Sequence, residues 1–131
     1  MIAPSQSKNE PEEIFKKFEN GTLTSWGQYE HIVVCMSYAL SVKNVHQLYS
    51  TMTCALIRHK SRTDTSYTVE RCTNKFNATV TWFWCNRIFE LVTENQDVPK
   101  NTQLIHLLAL ANGYGYIQKD FILNFFTEEE L

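Results

Sequence analysis

The sequence has little net charge and no apolar run long enough to cross a bilayer. Its 131 residues carry a formal charge of −2, which gives no overall field to attract nucleic acid or an anionic membrane. The longest apolar run, residues 32–40, is interrupted by Ser37 and is shorter than a transmembrane helix. The polar residues 1–12 do not resemble a secretion signal. We therefore expect a cytoplasmic protein that binds neither nucleic acid nor membrane.

Sequence motifs for metal, phosphate and redox chemistry are also missing. The four cysteines are far apart and form no C-x-x-C pair, so reduced thiols are expected in a chain without a secretion signal. No two histidines have the spacing of zinc ligands on one helix. The chain contains no phosphate-binding loop and no G-x-G-x-x-G, G-x-S-x-G or H-E-x-x-H segment. We therefore expect a protein that holds no metal and needs no cofactor.

The composition is that of a globular protein with many aromatic side chains. Hydrophobic residues make up 44% and charged residues 20% of the chain, as in ordinary folded domains. Three Trp, six Tyr and eight Phe supply aromatic surface for a core or a pocket wall. The run Trp82-Phe83-Trp84 spans all sides of a helix, so part of it must cover a neighbour or a ligand. We expect a disordered tail over residues 1–10 and one domain over residues 11–131.

Apolar side chains recur with the 3.6-residue period of a helix in every long segment. A first helix is predicted from Pro11 to a stop at Gly21, and a second from a cap at Thr24 or Ser25 to about residue 42. Further helices are predicted over residues 45–59, 76–93, 101–112 and 119–126, with a loop over residues 60–75 that holds one short extended piece at residues 67–69. The predicted fold class is therefore all-α, a single compact, bundle-like domain of five or six helices.

Polar residues interrupt the apolar faces of the second and fourth predicted helices. Gln28 and His31 are three residues apart and share a face, while Asn77 and Thr81 fall on the face that also carries Trp84. Because an unpaired polar group in a core is costly, these residues either bond to backbone groups and to one another or line a pocket. A paired polar cluster satisfies itself, so we expect the two helices to pack together with His31 and Asn77 facing one shared cavity.

Short segments of the chain resemble the pattern of an uncharacterised family of small, largely bacterial and fungal proteins. That family carries W-T-H-x-x-H-L and Y-H-E-T-x-T segments, and the matching stretches here are residues 26–32 and 76–81. The resemblance implies a site of three histidines and an acid that could bind a metal or transfer protons. In this chain Gln28, Asn77 and Ala78 stand at three of those positions. The departures imply that a metal site of this kind is lost.

Two functions from different classes fit these residues. In the first, the protein is a small cofactor-free enzyme that isomerises, cyclises or eliminates a small organic molecule, with His31 as general acid or base. The remaining candidates would bind the substrate: Trp26, Gln28, Tyr67, Asn77, Thr81 and Trp84. In the second, the chain is a non-catalytic small-molecule-binding or protein-interaction module that kept the fold and lost the chemistry. We expect the enzyme, because a module has less need of a lone His beside Gln and Asn; a homodimer is left open.

Overall fold

The computed structural model describes residues 10–63, 78–118 and 120–127 of the chain. These residues form five α-helices, followed by a short 3-10 helix over Phe121–Asn124. The α-helices are α1 (Glu10–Asn20), α2 (Gln28–Ala39), α3 (Val45–Thr63), α4 (Ala78–Glu94) and α5 (Lys100–Gly113). The described ranges contain no strand. The predicted all-α fold of five or six packed helices is confirmed.

The first helix ends where the sequence predicted, but the second begins later. Gly21, directly after α1, has a φ of 80°, a left-handed conformation that glycine adopts at low cost. The cap predicted at Thr24 or Ser25 is wrong, because residues 22–26 form an irregular connection and α2 follows an extended Gly27. This connection places an aromatic side chain, Trp26, directly before the start of α2.

The third helix begins at its predicted position and is longer than predicted. The backbone N–H of Gln47 donates to Asn44 Oδ1 at 2.9 Å, and Gln47 Oε1 accepts from the backbone N–H of Lys43 at 2.8 Å. These reciprocal bonds satisfy donors that the helix start would otherwise leave unpaired. Residues 60–63 continue the helix, which corrects the prediction of a loop there, and the basic Lys60 and Arg62 suit its negative end.

The second helix is the centre of the fold. It packs against α1, α3, α4 and α5. Five consecutive residues of α2 are fully buried: Ile32, Val33, Val34, Cys35 and Met36. Consecutive positions point to all sides of a helix, so α2 is enclosed by its neighbours. No helix in the described part of the chain is long and apolar enough to cross a membrane.

Ring contacts at the two ends of α3 indicate how α2, α3 and α4 are directed. His59, near the end of α3, lies 4.9 Å from Trp26 between ring centroids, so the end of α3 meets the start of α2. Trp82, near the start of α4, lies 5.5 Å from His46 and 5.2 Å from Tyr49, both near the start of α3. We infer that α4 runs parallel to α3 and antiparallel to α2.

The segment after α5 turns back onto α4. Gly115 has a φ of 86°, which lets the chain reverse at little steric cost. The ring of Tyr116 then contacts Trp84 at 5.5 Å, and the ring of Phe121 contacts it at 5.7 Å. The helix predicted over residues 119–126 is shorter, a 3-10 helix over Phe121–Asn124.

Candidate functional site

The predicted catalytic residue His31 lies beside Trp26 at the start of α2. The two rings meet edge to face, with centroids 6.0 Å apart. Trp26 also stacks on Phe18 of α1 at 5.3 Å and lies against His59 of α3. The structure therefore brings these two candidates together in an aromatic corner. Phe18 and His59, which complete it, come from distant parts of the chain and were not among the predicted site residues.

The surroundings of His31 keep its imidazole neutral. Burial lowers the pKa of His31 to about 4, because apolar surroundings disfavour the charged form. At neutral pH the ring is uncharged. It therefore lacks the imidazolium proton that a histidine donates when it acts as a general acid. A ring with so low a pKa is also a weak general base. This environment does not favour the acid–base role that the sequence analysis gave to His31.

The side chain of Gln28 bonds to the backbone of the C-terminal segment. Its Nε2 donates a hydrogen bond to the carbonyl oxygen of Tyr116 at 2.9 Å. A bond of this kind stabilises a fold by about 1 kcal/mol. Gln28 thus joins α2 to residues after α5. This contact is the hydrogen bonding to backbone groups that the sequence analysis left open as the alternative to lining a pocket.

Two other candidates, Thr81 and Trp84, are buried in α4. The predicted packing of α2 against α4 is confirmed. Thr81 nevertheless belongs to the first turn of α4, which lies at the opposite end of the antiparallel α2 from His31. The shared cavity expected for His31 and Asn77 stays a prediction. Asn77 and Tyr67 lie outside the described residues.

An aromatic cluster lies where the C-terminal segment covers α4. The sequence analysis did not assign this cluster to a site. The ring of Phe83 contacts Phe121 at 6.4 Å and Phe125 at 5.3 Å between centroids. Phe125 remains 49% exposed and Tyr114 is 58% exposed. We call this surface the C-terminal aromatic face; it consists of Phe83, Arg87, Tyr114, Phe121 and Phe125.

The guanidinium of Arg87 lies over the rings of this face. Its Cζ atom is 4.3 Å from the ring centroid of Phe125, 5.2 Å from that of Phe83 and 5.9 Å from that of Phe121. The negative face of an aromatic ring attracts a cation at such distances. These contacts hold a charged, planar group among partly exposed rings.

A cleft of about 270 Å³ adjoins the C-terminal aromatic face. Its wall combines rings and carboxylates: Tyr114, Tyr116, Phe121, Leu91, Arg87, Glu90 and Glu94. Glu90 and Glu94 are four residues apart on α4 and therefore lie on the same side of the helix. The cleft offers apolar ring surface and negative charge side by side.

A second groove, of about 330 Å³, lies between α5 and the starts of α1 and α2. Its lining is mainly apolar and includes Pro11, with polar groups from Tyr29 and Asn112. Burial and the nearby carboxylates of Glu10 and Glu30 raise the pKa of Tyr29, which keeps its hydroxyl available as a hydrogen-bond donor. Neither groove lies between α2 and α4, where the sequence placed the site.

Three cysteines are free thiols, with Cys35 and Cys85 buried and Cys54 exposed; Cys72 lies outside the described residues. A hydrogen bond with Cys85, together with burial, raises the pKa of Cys35, and a thiol of raised pKa is a poor nucleophile. Within the described ranges, no group of three or more His, Cys, Asp or Glu side chains is placed to hold a metal ion.

Comparison of the chain with protein-family models, curated proteins and solved structures gives no match. The resemblance to the uncharacterised family therefore stays a prediction.

One feature of the sequence, the aromatic run at residues 82–84, gave an indication of the C-terminal aromatic face. Part of the run Trp82-Phe83-Trp84 was predicted to cover a neighbour or a ligand, and in the structure its three rings contact three different parts of the chain. Trp82 covers the start of α3, Trp84 enters the core, and Phe83 contacts the C-terminal segment. The partner of Phe83 depends on the reversal at Gly115, which local periodicity does not reveal.

Proposed function

We propose that the chain is a non-catalytic protein-interaction module that binds its partner through the C-terminal aromatic face. The observation that carries this proposal is the half-exposed ring of Phe125 with the guanidinium of Arg87 4.3 Å above it. Aromatic residues and arginine are enriched in protein interfaces and dominate their binding energy. Clustered exposed apolar side chains on one surface mark such interfaces more often than scattered ones do.

The geometry of the face supports a binding role in a second way. The rings of Phe83, Phe121 and Phe125 contact one another and Arg87, and the ring of Tyr114 contacts Tyr116, so these side chains are held in place before any partner arrives. A pre-ordered side chain loses less conformational entropy on binding than a free one. The face therefore combines exposed apolar area with side chains that are already held in place.

The cofactor-free enzyme is the weaker candidate for this chain. It depends on His31, whose pKa of about 4 leaves the ring uncharged at neutral pH, and on Gln28, whose amide is already bonded to the Tyr116 carbonyl. A small organic molecule as partner stays a prediction that no observation on these residues favours.

Site-specific photo-crosslinking tests the proposed surface. A benzoylphenylalanine introduced at Phe125 is compared with one at Trp82, an aromatic residue 38% exposed elsewhere on α4. We expect one protein to crosslink in cells from position 125 and not from position 82, and the purified protein to bind the chain. A purified partner that crosslinks equally from both positions, or only from position 82, would contradict the proposal.

A further inference from the structure

The charge around the cleft beside the C-terminal aromatic face is mainly negative. Glu90 and Glu94 line it from α4, and both side chains are exposed. Within the described part of the chain, neither carboxylate forms a salt bridge. The one cation in the wall, Arg87, already lies over the rings of three phenylalanines.

The end of α4 adds to this negative charge. Glu94 is the last residue of α4, and the last turn of this helix contains no basic residue. The carboxyl end of a helix carries a partial negative charge, which lysine or arginine in the last turn commonly offsets. Here the helix end and two carboxylates lie together at one cleft without such a residue. A cation from another molecule would complete this arrangement.

The other wall of the cleft is aromatic. Tyr114 and Tyr116 are stacked at an angle, with ring centroids 5.7 Å apart, and the Tyr114 ring is 58% exposed. An arginine guanidinium stacks on aromatic faces and forms paired hydrogen bonds with carboxylates. Lysine, with a compact and strongly hydrated charge, fits a stacked site less well.

We propose that this cleft receives an arginine side chain of the partner, an inference that rests on the interaction function proposed above. The guanidinium lies against the exposed ring of Tyr114, which packs on the buried ring of Tyr116, and faces the carboxylates of Glu90 and Glu94. The C-terminal aromatic face supplies apolar contact area, and the cleft selects a partner that presents arginine beside an apolar side chain.

Titration with a blocked amino acid tests the cleft without knowledge of the partner. N-acetylarginine methylamide is added to the ¹⁵N-labelled chain, and backbone amide shifts are followed by NMR. We expect saturable shifts at residues 90–94 and 114–116. N-acetyllysine methylamide should bind more weakly, and uncharged N-acetylcitrulline methylamide, which has nearly the same shape, should not bind.

Charge-neutralising variants show whether the two carboxylates carry the effect. The pair Glu90→Gln and Glu94→Gln should weaken arginine binding about fivefold, as expected for two partly exposed ion pairs. The control pair, Glu12→Gln and Glu13→Gln, changes two exposed carboxylates on α1 and should leave the binding unchanged. Equal binding of arginine and citrulline, no saturable shift at the cleft, or an undiminished affinity in the Glu90 and Glu94 variant would each overturn the inference.

The same variant separates this inference from the proposed function. A partner that needs Tyr114 and Phe125 but binds the Glu90→Gln, Glu94→Gln variant with full affinity would contradict the arginine site and leave the interaction function standing. A partner that is indifferent to Tyr114 and Phe125 would contradict the function itself, whatever the arginine probe shows.

Discussion

At the scale of single residues, the same side-chain type can serve very different purposes, and its surroundings decide which. His31 was the best candidate catalyst in the sequence, since histidine titrates near neutrality. Burial beside Trp26 instead lowers the pKa of His31 to about 4. Arg87 attracted no notice in the sequence, yet it lies over three rings at the surface. The sequence gives the residue type at each position, but it does not show the electrostatic environment of the side chain.

The lowered pKa of His31 predicts a specific dependence of stability on pH. Its folded pKa lies below the ordinary value, so the unfolded chain binds more protons between about pH 6.5 and 4, and stability falls as the pH falls through that window. From pH 7 to pH 5 the loss for one such group is at most about 2 kcal/mol. His59, whose pKa is lowered by burial and by Lys60 and Arg62, adds to the loss.

Denaturant unfolding of His31→Gln at pH 7 and pH 5 measures this contribution. We expect the variant to lose less stability than the wild type between the two values, while Gln118→Ala, which removes no titratable group, follows the wild type. An identical loss in His31→Gln and the wild type would show that His31 is already charged at pH 5 and would contradict its assigned environment.

At the scale of secondary-structure elements, the sequence predicted which segments are helical but not how they meet. Helical periodicity is local, and it indicated all five α-helices. The length of α3 was missed because its last turn is polar and carries no period. The direction of α4 relative to α2 was missed because an apolar face shows that a helix is buried, not which neighbour covers it. The shared cavity expected at the starts of both helices depended on that unknown direction.

The bond between Gln28 and the carbonyl of Tyr116 gives a test of how the elements are joined. Gln28→Ala removes the donor that links α2 to the C-terminal segment and should lower the free energy of unfolding by about 1–2 kcal/mol. Gln118→Ala, which shortens an exposed glutamine of the same segment, is the matched control and should change stability by less than about 0.5 kcal/mol. Equal stability of Gln28→Ala and the wild type, measured by urea unfolding, would show that this bond does not hold the segment.

At the scale of the whole molecule, α2 is enclosed by α1, α3, α4 and α5. Of the residues that first suggested a site, Thr81 and Trp84 belong to the interior, whereas Trp26 is exposed and Gln28 is half-buried. The aromatic residues left at the surface are then the informative ones. Two of the four exposed aromatic residues in the described ranges, Tyr114 and Phe125, lie where α4 meets the C-terminal segment, beside a cleft with two carboxylates. The proposal that the chain binds another protein rests on this placement.

The affinity of the purified crosslinked partner for two variants of the chain tests the central proposal most directly. One variant carries Tyr114→Ala and Phe125→Ala at the C-terminal aromatic face, and the other carries His31→Gln in the aromatic corner at the start of α2. Isothermal titration calorimetry should show that the first variant loses at least about tenfold in affinity, as loss of interface anchors typically does, while the second keeps the wild-type value. Unchanged affinity in the first variant and a large loss in the second would contradict the proposed function and return the site to His31.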